Sequence, residues 1–160
     1  MSDGAGLYHR DILLWSEQQA DLLRRLARGE RVNGVDWDHV IEEIEDVGNA
    51  ELHAVTSLLR QAIVHLLKTV AWPDAHACAH WRSEALGVLV DAADRYAPSM
   101  RQRINLDNLY RKAVRQVATL VIGDREPGDL PPGNSFSLDA LLAGDLAALQ
   151  AQLHTDRHVV

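Results

Sequence analysis

Apolar residues recur every three or four positions through most of this chain. The longest such run reads DWDHVIEEIEDVGNAELHAVTSLLRQAIVHLLKTVAWP from Asp36 to Pro73. That period is the signature of an amphipathic α-helix, and alternating stretches long enough to make strands are absent. The pattern therefore predicts an all-α fold: a helical bundle of about four to five main helices, with short C-terminal helices packed against it. A first helix is expected over Tyr8 to Arg28, with Tyr8, Ile12, Trp15, Leu22, Leu23 and Leu26 on one face. Gly29 should close it as a C-terminal glycine does.

Asp36 is placed to cap the second helix, since its carboxylate can accept from the free amides of the first turn. Run straight to Thr69, that helix would extend roughly 50 Å at 1.5 Å per residue. A kink or short break is expected at Gly48-Asn49, where glycine weakens a helix interior. Trp72-Pro73 should end it, because the residue before proline is pushed out of the helical region. A third helix is predicted over Cys78 to Tyr96 and a fourth over Ser99 to Ile122. Residues 123–136 read as loop, Ser137 to Leu153 as one or two short helices, and 154–160 as a frayed tail.

Placing the second helix at about 100° per residue gathers Val40, Ile41, Ile44, Val47, Val55, Leu58, Leu59, Ala62 and Leu66 on one apolar arc. Glu51 falls inside that arc, while Glu45 and His65 lie at its edges. The same arithmetic puts Asp11 with Tyr8 and Trp15 on the first helix, Gln19 beside them, and Asp107 and Tyr110 with Val114 and Val117 on the fourth. The expected polar core or pocket is thus Tyr8, Asp11, Trp15, Glu45, Glu51, His65 and Tyr110, with Asp107 alongside. Each of these groups, if buried, needs a hydrogen-bond or ionic partner. The four tryptophans are otherwise expected as core material.

Composition narrows the function classes. At 160 residues, one domain spanning 1–160 is the simplest organisation. The acidic excess of 23 over 16, a net charge of −7, opposes nonspecific attraction to phosphate backbones. Nucleic acid is a poor partner on that ground, despite a local basic strip at Arg101, Arg103, Arg111, Lys112 and Arg115. Cys78 is the only cysteine, so no intrachain disulfide can form. A secretion signal and a membrane-length apolar run are both missing, which makes a cytoplasmic protein with no membrane partner the expectation.

Taken in order, Tyr8, Asp11 and Trp15 as Y-x-x-D-x-x-x-W, then Asp36, Glu42-Glu43-Ile44-Glu45 with Gly48, His65-Leu66-Leu67-Lys68, Trp81, Pro98-Ser99, Tyr110 and Ala113 form a series. The series resembles the bacterial domain-of-unknown-function 29 family over about residues 7–142. The resemblance implies a small all-helical bacterial protein without an established activity. In this chain the segment after Trp81, SEALGVLVDAADRYA, is less basic than the family's, and Ala97 stands where a capping serine is common.

No reaction follows from the remaining motifs. Glu42, Glu43 and Glu45 look like half of a bundle metal site, but the Glu-x-x-His pairing such sites use is absent. A solvated acidic face tied to Arg24, Arg25 or Lys68 explains the same residues. His76 and His80, four apart beside Cys78, are weak metal candidates without a fixed third ligand, and His154 and His158 repeat the spacing in the tail. His65 fits a structural role, bonded to a nearby carboxylate or carbonyl. No serine sits in a strained elbow and no glycine-rich phosphate loop follows a strand. The leading reading is a noncatalytic bundle with no cofactor. It would associate with itself or another protein through an apolar groove near Tyr8, Asp11 and Trp15, covered by the C-terminal helices. The alternative is a metal-dependent, hydrolase-like enzyme using Asp11, Glu42, Glu45, Glu51 or His65.

Overall fold

The computed structural model describes residues 4–155, with side chains described from 6 to 154. Seven α-helices follow one another among these residues: α1 Gly4–Arg10, α2 Ile12–Ala27, α3 Trp37–Ala71, α4 Cys78–Arg95, α5 Leu106–Ala118, α6 Leu138–Ala143 and α7 Leu146–Thr155. A 3-10 helix, Pro98–Arg103, precedes α5. No strand occurs among the described residues beyond one isolated bridge, Ile122 to Arg125. The all-α expectation holds. No helix of the described residues is long and apolar enough to cross a membrane.

The first expected helix is two. Asp11 leaves the helical region (φ −153°) and its carboxylate accepts from the Leu14 amide at 3.0 Å, so it caps α2 instead of facing a core. Gly29 closes α2 as expected. At φ +82° it lets its own N–H reach the Leu26 carbonyl (2.9 Å) and the Glu30 N–H reach the Arg25 carbonyl (3.1 Å), satisfying two carbonyls the helix would leave open.

The expected break at Gly48-Asn49 does not occur, and α3 is one helix of 35 residues. The cost of one interior glycine is only about 1 kcal/mol, which flanking helical turns can absorb. The fourth expected helix begins late: Ile104 and Asn105 are extended, and the Asn105 side chain accepts from the Asn108 amide at 3.0 Å to start α5 afresh. Ser137 caps α6, and Gly144 in the left-handed region separates it from α7, so Ser137 to Leu153 resolves into two short helices. The tail positions 156–160, including His158, lie outside the described residues.

The chain divides into two compact units, 1–50 and 51–160. In the first, α1 packs on α2, and the buried residues among those described are Trp15, Gln19 and Val40. In the second, one continuous core joins Val55, Leu59, Ala62, Ile63, Leu66, Leu67 and Val70 of α3 to Trp81, Ala85 and Leu89 of α4. Leu109, Tyr110, Ala113 and Val117 of α5 and Leu138, Leu141, Leu149 and Leu153 of α6 and α7 complete it. Burial at 62, 63, 64, 66 and 67 goes most of the way round the helix, as a central element of a bundle requires.

The N-terminal half of the expected arc behaves differently. Val40 is buried, but Ile41, Ile44 and Val47 are 52%, 67% and 69% exposed, and Trp37 is 50% exposed rather than core.

Candidate functional site

The densest arrangement of polar and aromatic groups lies in the first unit, built by α1, α2 and the first turns of α3. Asp36 stands at its centre. As the residue before α3 it is held where the chain turns into the helix, with the Val40 N–H donating to its carbonyl at 2.9 Å. Its Oδ2 accepts from the Trp15 indole Nε1 at 3.1 Å and lies 2.8 Å from His39 Nδ1. Its backbone N–H donates to Gln19 Oε1 at 2.8 Å, which satisfies the carbonyl of the buried Gln19 side chain. The spacing explains the convergence: Trp15 and Gln19 are one turn apart on α2, and His39 follows Asp36 by three on α3.

Tyr8 closes the cluster from α1. Its ring stacks on His39 with centroids 4.0 Å apart and meets Trp15 edge-on at 4.9 Å, while its hydroxyl donates to Glu43 Oε1 at 2.7 Å. The Glu43 carboxylate holding that proton, with burial and the nearby Glu42 and Asp46, pushes the Tyr8 phenol up to about 12. At Asp36, burial pushes the carboxyl up. The hydrogen bonds from His39 and Trp15, the His39 charge and the His39 amide outweigh it and hold the group below the ordinary carboxylate range.

Tyr8 and Trp15 meet across the break at Asp11, and the other residues of the expected polar core do not join them. Asp11 is the exposed cap of α2. Glu45 is exposed on α3. Glu51 is exposed too, and pairs with Arg95 of α4 at 3.4 Å, because ionised side chains on an exposed shoulder bond at the surface more cheaply than in a core. Asp107 is likewise exposed and accepts from Asn134 at 3.3 Å. Tyr110 is buried in the second unit and donates to the Pro131 carbonyl at 2.6 Å. His65 is half-buried in that unit, and its Nδ1 is buried without a partner, so the bond expected for it is not made there. Burial, with the positive charge of Lys68, holds the His65 imidazole below its ordinary pKa.

Among the described residues, Glu42, Glu43 and Glu45 form no ion pair with the cations expected for them. Arg25 pairs with Glu30 at 2.9 Å, and Lys68 lies 5.6 Å above the Trp81 ring. Sequence reasoning missed His39 and put Glu43 on an acidic face instead of in this cluster. Their signals were the Asp-x-x-His step at the start of α3 and the fact that one helical turn separates positions 39 and 43.

Within the cluster the Tyr8 hydroxyl, the Trp15 indole N–H, the Gln19 carbonyl and the Asp36 carboxylate are each paired. Among the described residues no hydroxyl or thiol is hydrogen-bonded to His39. His76 and His80 are exposed, and among the described residues no group of three or more His, Cys, Asp or Glu side chains is placed to hold a metal ion. Asp11, Glu42, Glu45, Glu51 and His65 thus do not form the donor set that the metal-dependent reading requires. Concave regions of the second unit include two of different size. One is an open groove of about 550 Å³ lined by Ala54, Ser57, Leu58, Gln61, Asp91, Asp94 and Arg95, and the other is a smaller pocket of about 260 Å³ at the end of α3.

Residues 7–146 match the model of the family described as "Domain of unknown function DUF29". A crystal structure of an alpha-helical protein of unknown function from Rhodospirillum rubrum is 34% identical and superposes with a TM-score of 0.68. The match covers 91% of this chain and 96% of that one. No curated protein matches.

Proposed function

Since the chain belongs to the family of domain of unknown function DUF29, whose description carries no activity, we propose from its surface that it is a noncatalytic protein-association module. The observation that carries this reading is the row Trp37, Ile41, Ile44 and Val47. These four large apolar side chains are 50–69% exposed at helical three- and four-residue steps along α3. Monomeric proteins seldom leave so continuous an apolar strip open to water, whereas a partner helix reads such a row directly.

Charge selects the kind of partner. From Asp36 to Glu51 the chain carries seven acidic residues and no lysine or arginine. A second copy of this strip would bring like charges together, which disfavours self-association through it. An amphipathic helix with an apolar seam and basic shoulders fits instead. The Tyr8, Trp15, Asp36 and His39 knot serves this reading by fixing how α3 leaves α2, so the row is presented on a rigid element.

Trp37 supplies the readout, because Trp15, Trp72 and Trp81 are buried while Trp37 is half exposed. The test titrates the full chain with a synthetic helix bearing a leucine seam and lysine shoulders, beside its glutamate-shouldered counterpart. The basic peptide should shift Trp37 emission to the blue and saturate. Ile44→Lys should weaken binding at least tenfold without altering the circular dichroism. Equal binding of both peptides, or an Ile44→Lys variant that binds like the parent, would overturn the proposal.

A further inference from the structure

We propose that the pocket at the C-terminal end of α3 is a binding site for a small carboxylate with an apolar body, a site independent of the α3 association row. Trp72, Ala75, His76, Ala77, Ile122, Gly123 and Arg125 line it, and all belong to the second unit. Its volume of about 260 Å³ lies at the small end for ligand sites, which limits the occupant to one ring or a short chain.

The pocket is pre-formed by backbone chemistry. Gly123 and Asp124, at φ +56° and +60°, make a two-residue reversal. It is closed by Ile122 N–H to the Arg125 carbonyl at 3.0 Å and Arg125 N–H to the Ile122 carbonyl at 3.2 Å. The same Arg125 carbonyl accepts from the Trp72 indole Nε1 at 3.0 Å, which fixes the ring and ties the reversal to the end of α3. A few residues on, the Gly128 N–H donates to the Ala71 carbonyl at 2.9 Å, and a Cβ at 128 would come within 3.2 Å of that oxygen. The reversal and the segment leaving it are therefore anchored, and a ligand would find the walls in place.

The lining decides the ligand class. Ile122, Ala75 and Ala77 offer an apolar surface against the buried Trp72 ring, whose indole N–H is already used. The polar side chains of the lining are Arg125 and His76, both exposed, and no carboxylate lines the pocket. Among the described residues no acidic group is within ion-pair distance of the Arg125 guanidinium, although Asp74, Asp124 and Glu126 are close in sequence. Arg125, a lining residue with no ion-pair partner among the described residues, matches a ligand with an apolar body and one carboxylate.

Benzoate and its uncharged counterpart benzamide are the probes, titrated into the full chain while the Trp72 indole N–H resonance is followed. Benzoate should bind saturably and shift that resonance, with benzamide at least tenfold weaker. Arg125→Gln keeps the backbone carbonyl, so Trp72 stays tethered. It should bring benzoate down to the benzamide level while leaving benzamide unchanged. Ala75→Phe should fill the pocket and remove both. The proposal is overturned if benzoate shows no saturable shift up to about 10 mM, a weak limit even for so small a ligand. It is equally overturned if benzoate and benzamide bind alike, or if Arg125→Gln leaves benzoate binding intact. None of these outcomes depends on the α3 row, whose peptide titration can succeed or fail separately.

Discussion

Asp36 shows how one side chain can serve a helix start and a tertiary lock together. Its Oδ2 is shared by the Trp15 indole and His39, and its amide is held by Gln19. Asp36→Ala strands the Trp15 donor and should cost roughly 1–3 kcal/mol in urea unfolding, more than an exposed carboxylate on α3 would. Because the carboxyl titrates below its ordinary value, its contribution is present above the ordinary carboxylate pKa. It is lost as pH falls through the lowered one, so Asp36→Asn should flatten the acid limb of the stability profile. Tyr8 has the opposite sign. Its phenol is raised to about 12, so its contribution is present below the ordinary value of 10.0 and is lost as pH climbs between the two, a loss that Tyr8→Phe should remove from the alkaline limb. His65 is a liability by the same reasoning. With its pKa lowered by burial, stability should begin to fall as pH drops through the ordinary value of 6.5, and His65→Leu should abolish that fall. Relieving the unpartnered Nδ1 should also leave the variant at least as stable as the parent at neutral pH. An unchanged acid slope in His65→Leu would show that other groups carry it.

Two glycines separate the demands made on helices. At Gly29 the backbone is left-handed, with nothing within 4 Å of an added Cβ, so Gly29→Ala should cost about 1 kcal/mol through conformation alone. Gly48 sits inside α3 at ordinary helical geometry, also with open space around it. Gly48→Ala should therefore stabilise by up to about 1 kcal/mol, and thermal melts of the two variants should move in opposite directions. A destabilised Gly48→Ala protein would mean that the helix does bend there. Within α3 the two halves then diverge. From Val55 onward, burial surrounds the helix, whereas Trp37, Ile41, Ile44 and Val47 keep the same spacing and face water. Periodicity alone cannot tell these apart, since an apolar stripe looks the same whether it meets the chain's own core or waits for another surface.

Across the molecule, the buried core is concentrated in the unit 51–160, and the first unit is held by a compact polar and aromatic knot around a few buried side chains. Substitutions should sort accordingly. Leu66→Ala, at a fully buried position, should cost about 2–5 kcal/mol, while Ile41→Lys with Ile44→Lys should leave the urea midpoint nearly unchanged. A large loss from the double variant would mean that the row is part of the fold and not available for docking.

By itself, the sequence determined the helical class, the positions where α2 and α3 end, and the family. These follow from local chemistry: a 3.6-residue period, a glycine able to adopt positive φ, a proline that stops a helix, and a motif with short spacing. The break at Asn105, the exposure of Asp11, Glu45 and Glu51, and the entry of His39 and Glu43 into the cluster were decided only by tertiary structure. Helical geometry gives the direction of each side chain about its own axis, but burial depends on which neighbour covers that direction. The same limit hid the pocket at Trp72, whose walls come from residues some fifty positions apart in the chain, joined by one indole hydrogen bond to Arg125.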